Sequence, residues 1–137
     1  LARPRWPLPA RHGPDWLIGE ALSNLIVGLQ RHARGEWLSA MRMIQVHSVD
    51  RVLELLEQLQ GGSDASLAAR DPFNVDRRIE MRSSRVAPLL PVWAGGYERT
   101  VPAALALLAV LEGHKVVPAD VAEHIRELAT MAARPIP

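Results

Sequence analysis

Four polar side chains lie on or beside apolar helical stripes and could bind a ligand. Glu20 and Asn24 lie four residues apart, at the edge of the apolar face of one predicted helix. Gln45 lies within the apolar stripe of the next predicted helix, and Arg42 borders that stripe. A polar group near a core destabilises the fold unless it is hydrogen-bonded. Either these residues line a cleft for a hydroxyl- or amine-bearing ligand, or Glu20 and Asn24 bond to Arg42 or Gln45 inside the protein.

Arg42 and His47 also have the spacing Arg-x4-His. This spacing resembles the ribonuclease motif of HEPN domains, which are small helical bundles that often dimerise. The resemblance implies a metal-free RNA-cleaving site assembled from the Arg and His of two protomers. HEPN motifs prefer a polar residue directly after the Arg, whereas this chain has Met43. The alternative is that His47 is a structural histidine on a packed helix.

Tyr97 is the only tyrosine of the chain, and its ring could stack on a ligand or anchor a loop. The remaining charged clusters have the spacing of solvated helix faces or of a cover over the bundle's end. The first cluster is Asp50, Arg51 and Glu54, and the second is Asp76, Arg77, Arg78, Glu80 and Arg82. The other histidines show no ligand spacing, so we predict no metal site; they are His12, His32, His114 and His124.

The composition is that of an ordinary globular domain. The chain has 137 residues, of which 48% are hydrophobic, and a formal net charge of +1. This length supports one domain with a modest core, and the balanced charge does not favour a nucleic-acid partner. With no cysteine there is no disulfide or thiolate site, which fits a reducing compartment such as the cytoplasm. The longest apolar run, residues 101–111, is too short to span a bilayer, so no membrane partner is expected.

Proline and glycine divide the chain into a linker and about five predicted helices. Residues 1–14 are rich in Pro and Arg and are predicted to be an extended linker, and residues 15–137 the helical domain. The first helix is predicted from about Asp15 to Arg34, with Gly35 as its left-handed stop. The second helix follows at once and ends at Gly61–Gly62, so the two should form a long antiparallel hairpin. Its predicted buried stripe is Leu38, Gln45, Val49, Val52, Leu56 and Leu59.

The second half of the chain contains shorter predicted helices. We expect a loop over residues 63–72, a short helix capped by Asn74, and a further piece capped by Ser83 and Ser84. Thr100 is predicted to cap a helix that is apolar all round and therefore the most buried element. Pro118 begins the last helix, whose predicted apolar face is Val121, Ile125, Leu128 and Met131. The predicted fold is an all-α bundle of about five helices that opens with the long antiparallel hairpin.

Several stretches, in order, resemble the C-terminal helical domain of bacterial nucleotidyltransferases of the lincosamide and aminoglycoside type. The similarity covers roughly residues 15–112, and its stretches are residues 20–29, residues 34–51, residues 71–78 and residues 96–112. In that family an N-terminal α/β domain binds a nucleoside triphosphate and two magnesium ions through a Gly-Ser pair and an Asp-x-Asp motif. The helical domain closes over the acceptor and often builds a homodimer.

The resemblance implies a binding domain without its catalytic half, because this chain contains no Asp-x-Asp motif. The nucleotide and magnesium would then belong to the chain's own N-terminal catalytic domain, and this chain alone would transfer nothing. The whole protein would transfer a nucleotidyl group to a hydroxyl of a small acceptor, such as an antibiotic. The positions expected to bind the acceptor are Glu20, Asn24, Arg42, Gln45 and Tyr97. His47 departs from the aromatic or small residue that the family would place there, so it is not expected to be essential.

Two other hypotheses stay open from the sequence. One is the HEPN-like ribonuclease or toxin domain. The other is a plain helical interaction module without a ligand, which predicts that Arg42 and Gln45 are fully paired inside the bundle.

Overall fold

The computed structural model describes residue 7, residues 11–60, residue 71, residues 73–114 and residues 116–134. All regular structure in these residues is helical, which confirms the predicted all-α class. The elements in chain order are α1 (Pro14–Ala33), α2 (Trp37–Met41), a π-helical segment (Arg42–Ser48), α3 (Val49–Gln60), α4 (Ile79–Arg82), a 3-10 turn (Ala87–Leu89), α5 (Leu90–Trp93), α6 (Thr100–Gly113) and α7 (Ala119–Ala132). The predicted stop at Gly61–Gly62, the loop over residues 63–70 and most of the predicted linker lie outside the described residues.

The ends of α1 follow the signals in the sequence. Pro14 occupies the first helical position, where its missing N–H is no loss, and Asp15 places a carboxylate in the first turn. After Ala33 the chain turns at Gly35, which has a φ of 86°. This left-handed conformation suits glycine, so the predicted stop is confirmed.

The elements α2, the π-helical segment and α3 follow one another without a break and are called the second long helix. This helix has a feature that the sequence periodicity did not predict. Its middle is the π-helical segment, in which Val49 N–H bonds back to Ile44 C=O, five residues earlier. Each such turn takes up more residues than an α-turn, so the side chains before it are rotated relative to an unbroken α-helix. As a result Leu38, predicted to be buried, is 50% exposed, whereas Ala40 and Ile44 are buried.

Leu59 was also predicted to be buried and is exposed for a different reason. It lies near the end of α3, and α1 begins only at Pro14, so α1 does not extend far enough to cover it. The other predicted stripe residues of this helix are buried: Gln45, Val49, Val52 and Leu56.

The predicted caps between α3 and α6 are wrong. Asn74 does not cap a helix; it lies in a turn whose N–H groups at Phe73 and Asn74 donate to the Asp71 carboxylate. Thr100 is the first residue of α6 rather than its cap, because its hydroxyl accepts a bond from Gln45 instead. Ser83 and Ser84 do not cap a helix either, because the 3-10 turn begins after Val86 without a side-chain cap, and Ser83 Oγ accepts the Val86 N–H at 3.2 Å within the preceding turn.

The helix α6, which was predicted to be the most buried element because it is apolar all round, is buried on one face only. Its Ala and Leu side chains pack into the core on one face, but Leu105 on the other face is 39% exposed. The apolar face of α7 is also narrower than predicted, because Met131 is 53% exposed while Ile125 and Leu128 are buried. The core is built from one face each of α1, the second long helix, α6 and α7, together with the buried Trp93.

Candidate functional site

The contacts between α1 and the second long helix fix how the two are aligned. They pair falling residue numbers on α1 with rising numbers on the other helix, so the helices run in opposite directions. The contacts are Arg31 Nη1 to Ser39 Oγ at 2.7 Å, a Cβ position at Gly28 3.3 Å from Met43 Cβ, Ser48 Oγ to Ala21 O at 3.1 Å, and the Arg51 guanidinium 5.2 Å from the centre of the Trp16 ring.

One side of this helix pair carries a row of polar and aromatic residues, which we call the hairpin seam. On the second long helix the seam residues recur every four positions. On α1 they lie along the edge that adjoins them. Its members are Trp16, Glu20, Asn24 and Arg31 on α1, and Ser39, Met43, His47 and Arg51 on the second long helix. Most of them are partly buried, as expected beside the contact line of two helices.

Asn24 is the most unusual member of the seam. Its side chain is only 8% exposed, and it has no hydrogen bond to any residue that the structure describes. In the described residues, Trp37 Nε1 and Arg82 Nε are the buried side-chain atoms without a partner that are also sealed from solvent. The Asn24 amide is not sealed in this way, so a molecule at the surface can still reach it. Glu20, one turn away, is half-buried and also makes no hydrogen bond or ion pair within the described part of the chain.

Gln45 does not pair with Asn24 but with the turn before α6. Its Nε2 donates to Gly96 O at 2.7 Å and to Thr100 Oγ1 at 2.9 Å, while its Oε1 accepts the Gly96 N–H at 2.8 Å. Gly96 has a φ of 109°, which suits glycine, so the turn and the glutamine fit together. This amide is therefore fully used in holding the turn to the π-helical segment.

Arg42 lies on the outer face of the second long helix. Its side chain is exposed and makes no hydrogen bond or ion pair with the described residues. Val46, four residues on, is exposed as well. Arg42 and His47 are five residues apart within the π-helical segment, which is slightly more than one turn, so their exposed side chains lie on adjacent edges of the helix, with His47 nearer the seam.

Tyr97 belongs to an aromatic cluster at the far end of the hairpin. It is 53% exposed, and its ring centre lies 5.7 Å from that of Trp37 in a tilted arrangement. Trp37 in turn stacks on His32 at 4.6 Å. The five predicted residues thus fall in three places: Glu20 and Asn24 on the seam, Gln45 and Tyr97 at the turn before α6, and Arg42 on the outer face.

The sequence interpretation missed two features near the seam. Asp50, read as part of a solvated face, is half-buried; burial, and then the nearby Asp76 carboxylate, raise the pKa of its carboxyl to about 6. His47 was set aside, although its spacing with Met43 and Arg51 shows that the three share one edge of the helix. The four-residue spacing of these three residues is visible in the sequence. Only the alignment of the two helices shows that their edge lies beside α1.

The seam is closed at one end by the residues that lead into α1. The His12 ring stacks on Trp16 with 3.6 Å between ring centres, and Gln58 Nε2 donates to His12 O at 2.8 Å. Arg11 forms an ion pair with Glu57 at 3.3 Å. These contacts fix the direction in which the chain approaches the seam.

Comparison with known proteins adds no family assignment. No protein-family model, no curated protein and no solved structure matches this chain. Among the described residues, no group of three or more His, Asp or Glu side chains is placed to hold a metal ion. None of the helices described is both long enough and apolar enough to cross a membrane.

Proposed function

We propose that this chain is the acceptor-binding helical domain of a nucleotidyltransferase-like protein. The observation that supports the proposal best is the Asn24 amide, which is nearly buried, open at one side and not hydrogen-bonded to the described residues. An amide that is held in a nearly buried position, open at one side and not bonded within the protein can exchange water for a ligand that completes its hydrogen bonds.

The contacts do not favour the alternative in which the Asn24 amide serves only to join the two helices. If Asn24 and Glu20 served only to link the hairpin, they would bond to Arg42 or Gln45. Instead Gln45 is engaged by Gly96 and Thr100, and the Arg42 side chain points to solvent. The donor and acceptor of Asn24 and the carboxylate of Glu20 are then available to a hydroxyl- or amine-bearing molecule.

The remaining parts of the proposal follow from the sequence resemblance. A catalytic domain outside this chain would bind the nucleoside triphosphate and magnesium and transfer a nucleotidyl group to the acceptor hydroxyl. The whole protein would work in the cytoplasm as a homodimer. Tyr97 would contribute an exposed ring that Trp37 supports.

Titration of the ¹⁵N-labelled chain with kanamycin and with lincomycin tests the binding role. We expect one of these polyhydroxyl compounds to shift the side-chain amide signals of Asn24, with saturation. Glu20→Gln should weaken that binding, because it removes the free carboxylate beside the amide. Ser23→Ala is the matched control, since Ser23 is exposed on α1 next to Asn24 and should leave the affinity unchanged.

Two results would contradict the proposal. One is saturable binding of magnesium-ATP by this chain at micromolar concentration, which would give the chain a nucleotide site of its own. The other is a lack of any shift at Asn24 with both compounds up to millimolar concentration.

A second candidate function, an HEPN-like ribonuclease, is favoured by one observation. The π-helical segment places Arg42 and His47 slightly more than one turn apart, and both side chains are exposed. This hypothesis expects the chain to cleave RNA without a metal ion and His47→Ala to abolish cleavage. His124→Ala, an exposed histidine on α7, is the control. Intact RNA after prolonged incubation with micromolar protein rejects it.

A further inference from the structure

The order of the contacts between the two helices puts His47 at the same level along the helix pair as Asn24. On α1, Asn24 lies between Ala21 and Gly28. Those two residues contact Ser48 and Met43, respectively, on the second long helix. His47 lies between these contact points and shares its edge of the helix with Met43 and Arg51. Met43 Cβ lies 3.3 Å from the position that a Cβ at Gly28 would take, and the Arg51 guanidinium lies over the Trp16 ring, so the residues on either side of His47 both lie against α1.

Nothing in the described fold uses the His47 side chain. It is exposed and makes no hydrogen bond or ion pair with the described residues. The charge of His47 has only a small effect on the pKa of the nearby Asp50 carboxyl. A neutral imidazole carries one hydrogen-bond donor and one acceptor, and a primary amide also carries a donor group and an acceptor. Two such groups facing each other across a groove can both bond to one hydroxyl, or to two neighbouring hydroxyls.

We propose that His47 is a specificity-determining contact of the acceptor site, where its imidazole and the Asn24 amide bond from opposite sides to hydroxyl groups of a small polyhydroxyl ligand. This inference rests on the proposed acceptor-binding function and assigns to it a residue outside the set expected from the resemblance. Glu20, one turn from Asn24, lines the same groove. The stacked His12 and Trp16 rings lie at the Arg51 end of the same seam.

The test uses kanamycin and lincomycin as probes and follows two signals in one titration. These are the Asn24 side-chain amide and the His47 ring Cε1–H. We expect both signals to shift with the same dissociation constant. His47→Ala should weaken binding of the compound by about tenfold, the effect of losing one good hydrogen bond to a ligand. His47→Gln should recover most of the affinity, because its amide again offers a donor and an acceptor.

His124→Ala serves as the matched control, and melting curves of all variants check that they remain folded. If Asn24 responds but His47→Ala binds as tightly as the unchanged chain, the inference is overturned and the acceptor-binding proposal stands. If neither signal moves with either compound, both are rejected. If His47→Ala abolishes RNA cleavage while neither compound binds, His47 belongs to a ribonuclease site and the inference is overturned as well.

Discussion

At the scale of single residues, two amide side chains of the same hairpin differ in their hydrogen bonding. Gln45 has both ends of its amide bonded within the protein, whereas Asn24, equally buried, has neither end bonded to a described residue. The hydrogen bonds of Gln45 therefore stabilise the fold, whereas the Asn24 amide, which solvent can still reach, contributes no hydrogen bond to it.

Asn24→Leu tests this contrast. Leucine removes the unbonded amide and adds apolar surface to a position beside the core, so we expect the free energy of unfolding to rise by about 1–2 kcal/mol. Urea denaturation measures the change. The same substitution should abolish acceptor binding, so a gain in stability would come with a loss of function. A drop in stability would show that the amide has a partner in solution.

Asp50 gives a prediction with a defined pH dependence. Its pKa in the fold is about 6, above the ordinary value of 3.8, so the folded state holds its proton more firmly than the unfolded state. The fold is therefore favoured by Asp50 below pH 4 and loses this contribution as the pH rises through 6. We expect Asp50→Asn to raise stability at pH 8 by about 1 kcal/mol, after allowing for the partial exposure of the carboxyl.

The measurement is urea unfolding of both forms at pH 4 and at pH 8. The gain from Asp50→Asn should shrink at pH 4, where the carboxyl is already protonated. A gain of equal size at both pH values would mean that the carboxyl is not the cause. Glu123→Gln on the exposed side of α7 is the control for removal of a surface carboxylate.

At the scale of elements, the close packing of α1 on the π-helical segment depends on Gly28. A Cβ at this position would lie 2.5 Å from Ile44 Cγ1 and 2.6 Å from its Cδ1, and Ile44 is fully buried. A side chain held inside a core cannot move aside easily, so even one methyl group forces the two helices apart.

Gly28→Ala should lower the free energy of unfolding by about 1–3 kcal/mol through this overpacking. Gly19→Ala is the matched control within α1: a Cβ there meets nothing within 4 Å, so alanine should stabilise the helix by about 0.5–1 kcal/mol. In the double variant Gly28→Ala, Ile44→Ala the new methyl group partly fills the space left by isoleucine. Its loss of stability should therefore be smaller than the sum of the two single losses, and strict additivity would rule out the clash.

The elements could be predicted from the sequence to the extent that local patterns determine them. The ends of α1 and the stop at Gly35 depend on neighbouring residues and were predictable. The π-helical segment was not, because its residues are ordinary helix formers and the extra residue per turn leaves no local signal. The partner of Gln45 was also out of reach, since it lies more than fifty residues along the chain.

The features of the candidate site were likewise predictable only where they depend on local sequence. Periodicity identified Glu20 and Asn24 as polar residues at the edge of an apolar face. It could not show that Asn24 lacks a described partner, nor that His47 lies at the same level of the helix pair, since both depend on how the two helices align. That alignment follows from tertiary contacts such as Gly28 against Ile44.

At the scale of the whole molecule, one hydrogen bond joins the first hairpin to the last helix. His32, at the end of α1, has its Nδ1 3.1 Å from Ala132 O at the end of α7. Because a carbonyl oxygen only accepts, Nδ1 must carry the proton and donate it. The buried ring also stacks on Trp37, so α7 is held against the turn of the hairpin.

This bond makes the molecule sensitive to acid. Burial lowers the pKa of His32 below its ordinary 6.5, so the unfolded chain takes up a proton more readily than the fold. Stability due to this residue is present at neutral pH and is lost as the pH falls below 6.5. His32→Phe keeps an aromatic ring against Trp37 but cannot be protonated or donate. We expect it to be less stable by about 1 kcal/mol at pH 8 and to lose less stability than the unchanged chain between pH 8 and pH 5.

Amide hydrogen exchange across α7 supplies the second readout for His32→Phe. Exchange near Ala132 should speed up first, because the hydrogen bond that holds this end is gone. An equal loss of stability with falling pH in both proteins would show that another group is responsible.

The extra residue of the π-helical segment makes the hairpin unusually tolerant of shortening by one. Removing one residue from most helices turns everything beyond the gap by about 100° and carries core side chains to the surface. Removing the exposed Val46 instead converts the π-helical turn into an ordinary α-helical one, so α2 and α3 can each keep their own buried faces. Circular dichroism should show a folded helical protein after this deletion, and an unfolded or strongly destabilised one after deletion of Glu54 in α3. Related chains one residue shorter at this place would then share the fold while differing in which side chains line the seam.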